Sequence, residues 1–501
     1  MSLETPLSFG QLLADRACER VFLRAPLEDS ESRTSLTFEE LASLARGVAQ
    51  RFSSLGYQPG DRIGLVIAHP IDFAIQFLGG MAAGYWMAPL DPTLDYEQLA
   101  SFPQQVHALG LRAVVADRHA PIDSPISWHD VAVSDGASLS EHTSGGILLA
   151  SSGTTGTPKV MMLRQSQVLT TGTYIARHNS LTTGDVGLNP LPLWHINAEV
   201  VALTASLIAG SELVVQRRFK RTDFWKLVSD TGVTWINAVP AIVSHLATLR
   251  DDESVPSRVR FIRSASAPLP AELIRSFEKT IGIPVIESYG MTEAASQICA
   301  NPLQGVRKPG SVGLPVGVSL KFVPLDDGVE TSNEPFPVGQ VALRGPSVIE
   351  SYASEEYASR FTADGWLLTG DLGYADDDGY VFLVGRSDDV INRSGEKIYP
   401  REIEEVILQV PGVAATAVIG VPDVVLGAVP LAYIELDAEA NRGAPEVCAD
   451  IVRALEGTLG RSKRPTAIRV IEAFPRHATG KIQKNPLRDG TVPTTHEELL
   501  S

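Results

Sequence analysis

Four short stretches carry side chains that can act together on a phosphate-bearing ligand. Ser151–Lys159 (SSGTTGTPK) puts five hydroxyls, two glycines and a lysine into nine residues. Glycines permit close backbone approach, and N–H groups with hydroxyls can surround phosphate oxygens while Lys159 adds charge. It is not the Walker pattern, which needs Gly-Lys-Ser/Thr opening a helix, and a flexible polar loop is the alternative. Val285–Gln297 (VIESYGMTEAASQ) runs from a strand through Tyr289 and a Gly turn to Thr292 and Glu293 at the start of a helix. An aromatic ring stacks on a base, and a hydroxyl beside a carboxylate suits a phosphate and Mg2+. The plainer reading of Thr292-Glu293 is ordinary helix N-terminal chemistry. Asp371 follows the apolar run Trp366-Leu367-Leu368, and Arg386 closes the next strand. Lys481 ends Pro475–Lys481 (PRHATGK) on a Gly-containing turn, where it is either solvated or delivered to a site by domain motion.

Weaker candidates stand at strand ends. His195 follows Leu191-Pro192-Leu193-Trp194, where a strand meets a helix, and is either structural or pocket-lining. Asn237, in WINAVP, is a pocket residue or a turn former. Phe261–Pro268 (FIRSASAP) ends in Ser266, Ala267 and Pro268, small enough for a flat ring to lie on the backbone.

The elements that must position these groups alternate. Thr37-Phe38-Glu39-Glu40 fits a capping box, and Leu41, Leu44, Ala45, Val48 and Phe52 recur at helical spacing before Gly56. Strands are expected at 63–68, 111–116, 146–150, 235–240, 261–268 and 285–289, with helices between them. That order implies a parallel sheet covered on both faces. Near 386 the chain changes character. Ser387, Asp388, Asp389, Asn392, Arg393, Ser394 and Gly395 form a polar run, and Pro400 opens an amphipathic helix with Ile403, Val406 and Ile407 on one face. A strand, a polar pivot and a fresh start mark the handover from a large domain to a small one. The expected division is 1–386, 387–490 and a loosely ordered polar tail, 491–501.

A chain of 501 residues exceeds one ordinary core. Its net charge of −17 disfavours nucleic acid or an anionic membrane as main partner. No stretch has the length and apolarity of a bilayer span, and the N-terminus lacks a signal-peptide pattern. Cys18, Cys299 and Cys448 are far apart, without metal spacing. A cytoplasmic, reducing setting is expected.

Taken in order, SSGTTGTPK, ESYGMTE, WLLTGDLG, GRSDDVINRSGEKIYPREIE and PRHATGKIQK resemble the adenylate-forming superfamily of acyl-CoA synthetases, peptide-synthetase adenylation domains and luciferases. The resemblance covers Leu36 to Leu487. RSASAP, CANP, KPGSVGLPVG and INRSGEKIYP are closest to oxalyl-CoA synthetases and other small-acid or medium-chain ligases.

The resemblance implies an α/β protein with a large N-terminal domain of αβ layers and a small mobile α+β C-terminal domain. It implies ATP-dependent activation of an acid as its adenylate, then transfer to coenzyme A. A carrier-protein phosphopantetheine, an amine, or a non-carboxylate oxyanion as the activated acid are its alternatives. It assigns Thr154, Thr155 and Lys159 to the β- and γ-phosphates, and Tyr289 with Ser266, Ala267 and Pro268 to adenine. Thr292 goes to the α-phosphate, Glu293 to Mg2+, Asp371 to the ribose hydroxyls and Arg386 to the ribose or phosphate. Lys481 is assigned to the transferring phosphate, Asp388 to the hinge and Gly395 to the pantetheine arm. His195 lies beside the presumed acid pocket. Departures are Val160 where glycine is usual, Arg164-Gln165-Ser166-Gln167 in place of Thr-His-x-Asn, and Gln340 where an acidic residue is common.

Overall fold

The computed structural model describes residues 4–26, 34–92, 109–116, 126–127, 144–151, 159–250, 253–325, 336–437, 440, 442–476 and 482–500. The expected alternation yields a large α/β domain. Its main sheet has nine strands, of which Val21–Arg24, Glu212–Val215, Val186–Asn189, Trp235–Ala238, Phe261–Ser264 and Val285–Met291 run parallel. A six-stranded sheet holds Arg62–Val66, Trp86–Pro89, Gly146–Ser151 and Lys159–Arg164. Every residue of helix Pro70–Ala82 is buried, as is every residue of the helical run 197–209. Such all-round burial accounts for largely apolar sequences that lack a solvent-facing polar side. The capping box at Thr37 and Glu40 forms as the sequence predicts, and Gly56 follows the helix end with φ +83°.

A four-stranded antiparallel sheet, Ser319–Pro324, Gly339–Arg344, Leu367–Ala375 and Val381–Arg386, carries Asp371 and Arg386 as register partners. Beyond it lies a small α+β domain with its own cores. Ile403, Ile407, Ile451 and Leu455 fill one face of its sheet, and Ala417, Ile419 and Tyr433 lie on the other. Among the described residues no helix is long and apolar enough to cross a membrane.

Two segments differ from expectation. The tail is not wholly loose: His496–Leu499 pairs antiparallel with Ala467–Ile471, and Arg469 Nε meets Glu497 Oε1 at 2.6 Å. The segment after Gly290 is not a long helix. One short turn, Thr292–Ala294, is followed by left-handed Ala295 (φ 50°) and Ser296 (φ 94°), which reverse the chain into strand Ser296–Ala300. Helix propensity in Glu-Ala-Ala yields here to tertiary pairing. Gly290 is required by the reversal, because a Cβ there would lie 1.6 Å from the Ser296 carbonyl oxygen.

Candidate active site

Parallel strands place their carboxyl ends along one edge, where an open α/β sheet has its crevice. Tyr289, Glu293, Asn237 and Ser264 all sit at or just past such ends. Strand Lys159–Arg164 brings Lys159 to the same region: its Nζ lies 2.5 Å from Glu293 Oε1 and 4.2 Å from the centroid of the Tyr352 ring. The Tyr352 hydroxyl donates to the same Oε1 at 3.0 Å. Burial, reinforced by this carboxylate, holds the Tyr352 phenol far up its scale, so it stays a donor.

The second constellation centres on Asp371. The Tyr289 hydroxyl donates to Oδ2, and Arg386 Nη1 donates to Oδ1 at 3.0 Å. The Asp371 amide is itself held by Thr369 Oγ1 at 3.0 Å. Burial and then the Asp371 charge raise the Tyr289 phenol well above its ordinary value. For Arg386 burial acts downward, but Asp371, Asp388 and Asp389 outweigh it and raise the guanidinium. Thus the aromatic, the carboxylate and the arginine singled out in three separate stretches form one hydrogen-bonded unit.

Ser266 adopts a left-handed conformation, φ 77°. Its Oγ accepts from Asn197 Nδ2 at 3.2 Å, and Asn197 Oδ1 accepts from Asn237 Nδ2 at 3.0 Å. Asn189 Oδ1 takes a further bond from Asn237 at 2.9 Å. Asn237 is therefore a buried cross-link and not a turn residue. Non-glycine residues with positive φ cluster at sites where the backbone is under functional constraint, and three of the six described here, Ser266, Ala295 and Ser296, belong to this region.

His195 precedes a π-helical stretch, Asn197–Thr204. Its Nε2 is buried without a partner among the described residues, and burial lowers its basicity against an opposing pull from Asp91. Glu199, within the π-turn, is fully buried with both carboxyl oxygens unpartnered among the described residues, and burial raises it well above the usual carboxylate range. π-turns recur at functional sites.

Sequence reasoning passed over Glu287, although period-two alternation puts it on the Tyr289 face of the strand. Burial pushes its carboxyl up to about 7, against the Arg401 guanidinium of the small domain. The Leu269 and Gly310 amides favour its charged form. Gly310 and Arg401 both line a cleft of about 560 Å³ between the domains.

The small-domain residues are placed as follows. Asp388 lies in the turn Ser387–Asp389, its Oδ2 3.8 Å from Arg386 Nη2, while Asp389 is bound by Arg488 from the small domain. Gly395 is exposed with φ +92°, and nothing lies within 4 Å of an added Cβ. In this pose glycine is required there by the backbone and not by a neighbour. Thr154, Thr155 and Lys481 lie outside the described residues. Two of the departures are structural: Gln165 Oε1 accepts from the Phe9 amide at 2.9 Å, and Gln167 Nε2 donates to the Val348 carbonyl at 2.7 Å. Val160 is buried in its strand.

Residues 13–353 match the family model described as AMP-binding enzyme, and residues 402–481 match the AMP-binding enzyme C-terminal domain. The chain is 35% identical over 510 residues to a sulfoacetate–CoA ligase of Cupriavidus necator, covering 95% of this chain and 96% of that one. It is 32% identical over 483 residues to an oxalate–CoA ligase of Arabidopsis thaliana, covering 90% and 92%. A similar solved structure is the o-succinylbenzoate CoA synthetase of Bacillus subtilis in complex with its acyl-adenylate intermediate. It has a TM-score of 0.82 and 27% identity, covering 97% of this chain and 99% of that one.

Proposed function

Because the chain belongs to the AMP-binding enzyme family, we infer that it is an ATP-dependent acid–CoA ligase. It activates an acid as its adenylate with release of pyrophosphate, then forms the acyl-CoA thioester. The observation that carries this reading is Asp371, held between the Tyr289 hydroxyl and Arg386. A carboxylate accepts from two vicinal hydroxyls, as a ribose requires.

The difficulty of the first step is that two anions meet. The acid's carboxylate oxygen attacks the α-phosphorus, and the bond to the bridging oxygen of pyrophosphate breaks on the opposite side. Catalysis is then positioning plus charge compensation. Tyr289 and Ser266, Ala267 and Pro268 flank the adenine. Thr292 contacts the α-phosphate. Thr154, Thr155 and Lys159 hold the β- and γ-phosphates. Lys159 leaves Glu293 for the triphosphate, and Lys481 compensates charge on the transferring group.

Mg2+ suits this site. No group of three or more acidic, His or Cys side chains converges among the described residues. One carboxylate, Glu293, fits an ion that keeps waters and takes most of its remaining ligands from phosphates. That ion supplies charge neutralisation when bound.

For the second step the small domain, from residue 387, turns at Asp388. The division of partners supports that pivot: Asp388 faces Arg386 of the large domain and Asp389 faces Arg488 of the small one. Turning brings Gly395 to the adenylate, where the thiolate sulfur of the pantetheine attacks the acyl carbon and AMP leaves. His195 lines the acid's side. The relatives named for sulfoacetate and oxalate support a small, polar acid. Pyrophosphate release with an acid panel, with and without coenzyme A, tests the reading.

A further inference from the structure

A row of polar side chains runs across one face of the main sheet, beneath the π-turn. Asn189, Asn237, Arg263 and Gln297 supply it from four strands, and Asn237 and Arg263 are register partners. Asn197 reaches the row from the π-turn through its bond to Asn237. Arg263 passes under strand Val285–Met291, and its Nη2 donates to Gln297 Oε1 at 3.2 Å. Both residues are buried, at 1% and 2% exposure. Arg263 Nε and Nη1, Gln297 Nε2 and Asn237 Oδ1 have no hydrogen-bond partner among the described residues.

This pairing fixes the orientation of the amide. A guanidinium offers donors only, so Gln297 must turn its oxygen toward Arg263. Nε2, a donor, is then directed away from Arg263 with its bonds unmade. Buried unsatisfied donors are rare and call for a partner that arrives later. Burial lowers the guanidinium to about 9, so it still carries its charge at neutral pH. Among the described residues no carboxylate is hydrogen-bonded to that guanidinium.

Position ties this donor to the reaction. Gln297 is the register partner of Gly290, immediately after Tyr289 and two residues before Thr292. Ala295 and Ser296, both left-handed, aim the strand that carries it. A molecule activated at Thr292 and touching Gln297 has to be short.

We propose that Gln297, oriented by Arg263, donates to a second anionic group at the far end of the acid. The chain would thereby select short acids bearing an additional carboxylate or sulfonate over monocarboxylates of equal length. This rests on the acid–CoA ligase reading. Gln297 is the binding residue, and Arg263 is a positioning residue that acts through it.

The test compares kcat/KM for sulfoacetate, oxalate, malonate and succinate with acetate, propionate and butyrate in wild type, Gln297→Leu and Arg263→Met. The expected result is a wild-type preference for the doubly anionic acids that falls at least 10-fold in both variants. The fall should lie in KM for the acid, while KM for ATP is little moved. Should Arg263→Met fail to fold, Gln297→Leu alone decides. A wild type that prefers the monocarboxylates, or a preference that survives Gln297→Leu, overturns the proposal. Wild-type protein that turns over no acid at all overturns the ligase reading instead.

Discussion

Lys159 Nζ and Glu293 Oε1 stand 2.5 Å apart, with side chains 13% and 8% exposed. The pair links the start of strand Lys159–Arg164 to the turn after Tyr289, and Tyr352 closes it from a third segment. Before nucleotide arrives, the two charges serve each other.

Replacing Lys159 with Met should therefore do more than weaken ATP. It leaves Glu293 buried and supported by Tyr352 alone, at a cost of roughly 3 kcal/mol or more. Denaturant unfolding should show that loss. Millimolar Mg2+ should restore more stability to the variant than to wild type, because the carboxylate then regains a cation.

Asp371→Asn removes the charge that accepts from both Tyr289 and Arg386. Charge-assisted bonds are worth about 1.5–3 kcal/mol, so KM for ATP should rise roughly 10- to 100-fold. Tyr289→Phe keeps the ring and loses one bond, so its effect should be smaller. Steady-state titration of ATP checks both.

How much of this was legible in the residues differs from place to place. The ordered motifs identified the superfamily, the two-domain plan, and oxalate–CoA ligases among the similar proteins. The capping box at Thr37 and the helix at Pro400 follow from local chemistry and appear as expected. The turn at Ala295-Ser296 was hidden, because nothing in Glu-Ala-Ala-Ser announces two left-handed residues. Arg263 and Gln297 were hidden too. They are 34 residues apart and meet only because the strand between them intervenes. Glu287 shows period-two spacing with Tyr289, but its elevated carboxyl depends on burial that no local pattern contains. The tail strand was missed because a short, charged segment gains its pairing from Arg469 and not from its own apolarity.

Glu287 gives a pH signature. Burial raises its carboxyl from the ordinary 4.5 to about 7, so the folded protein holds a proton that the unfolded chain releases. Stability should fall as pH rises from about 4.5 to 7, by roughly 3 kcal/mol at most, and level off above. Glu287→Gln should lack this component and be the more stable of the two at pH 8. Urea unfolding across pH checks the sign.

Lys481→Ala separates the half-reactions. Adenylation, followed by pyrophosphate release, should drop by orders of magnitude. Thioester formation from supplied acyl-adenylate and coenzyme A should persist. Equal loss of both would contradict a small domain that turns at Asp388.

The most direct measurement is product analysis of the purified protein with ATP, Mg2+ and single acids, with and without coenzyme A. The account predicts pyrophosphate with a small doubly anionic acid, and stoichiometric AMP and acyl-CoA once coenzyme A is added. ATP left intact with every acid, or cleavage to ADP and phosphate, would contradict it.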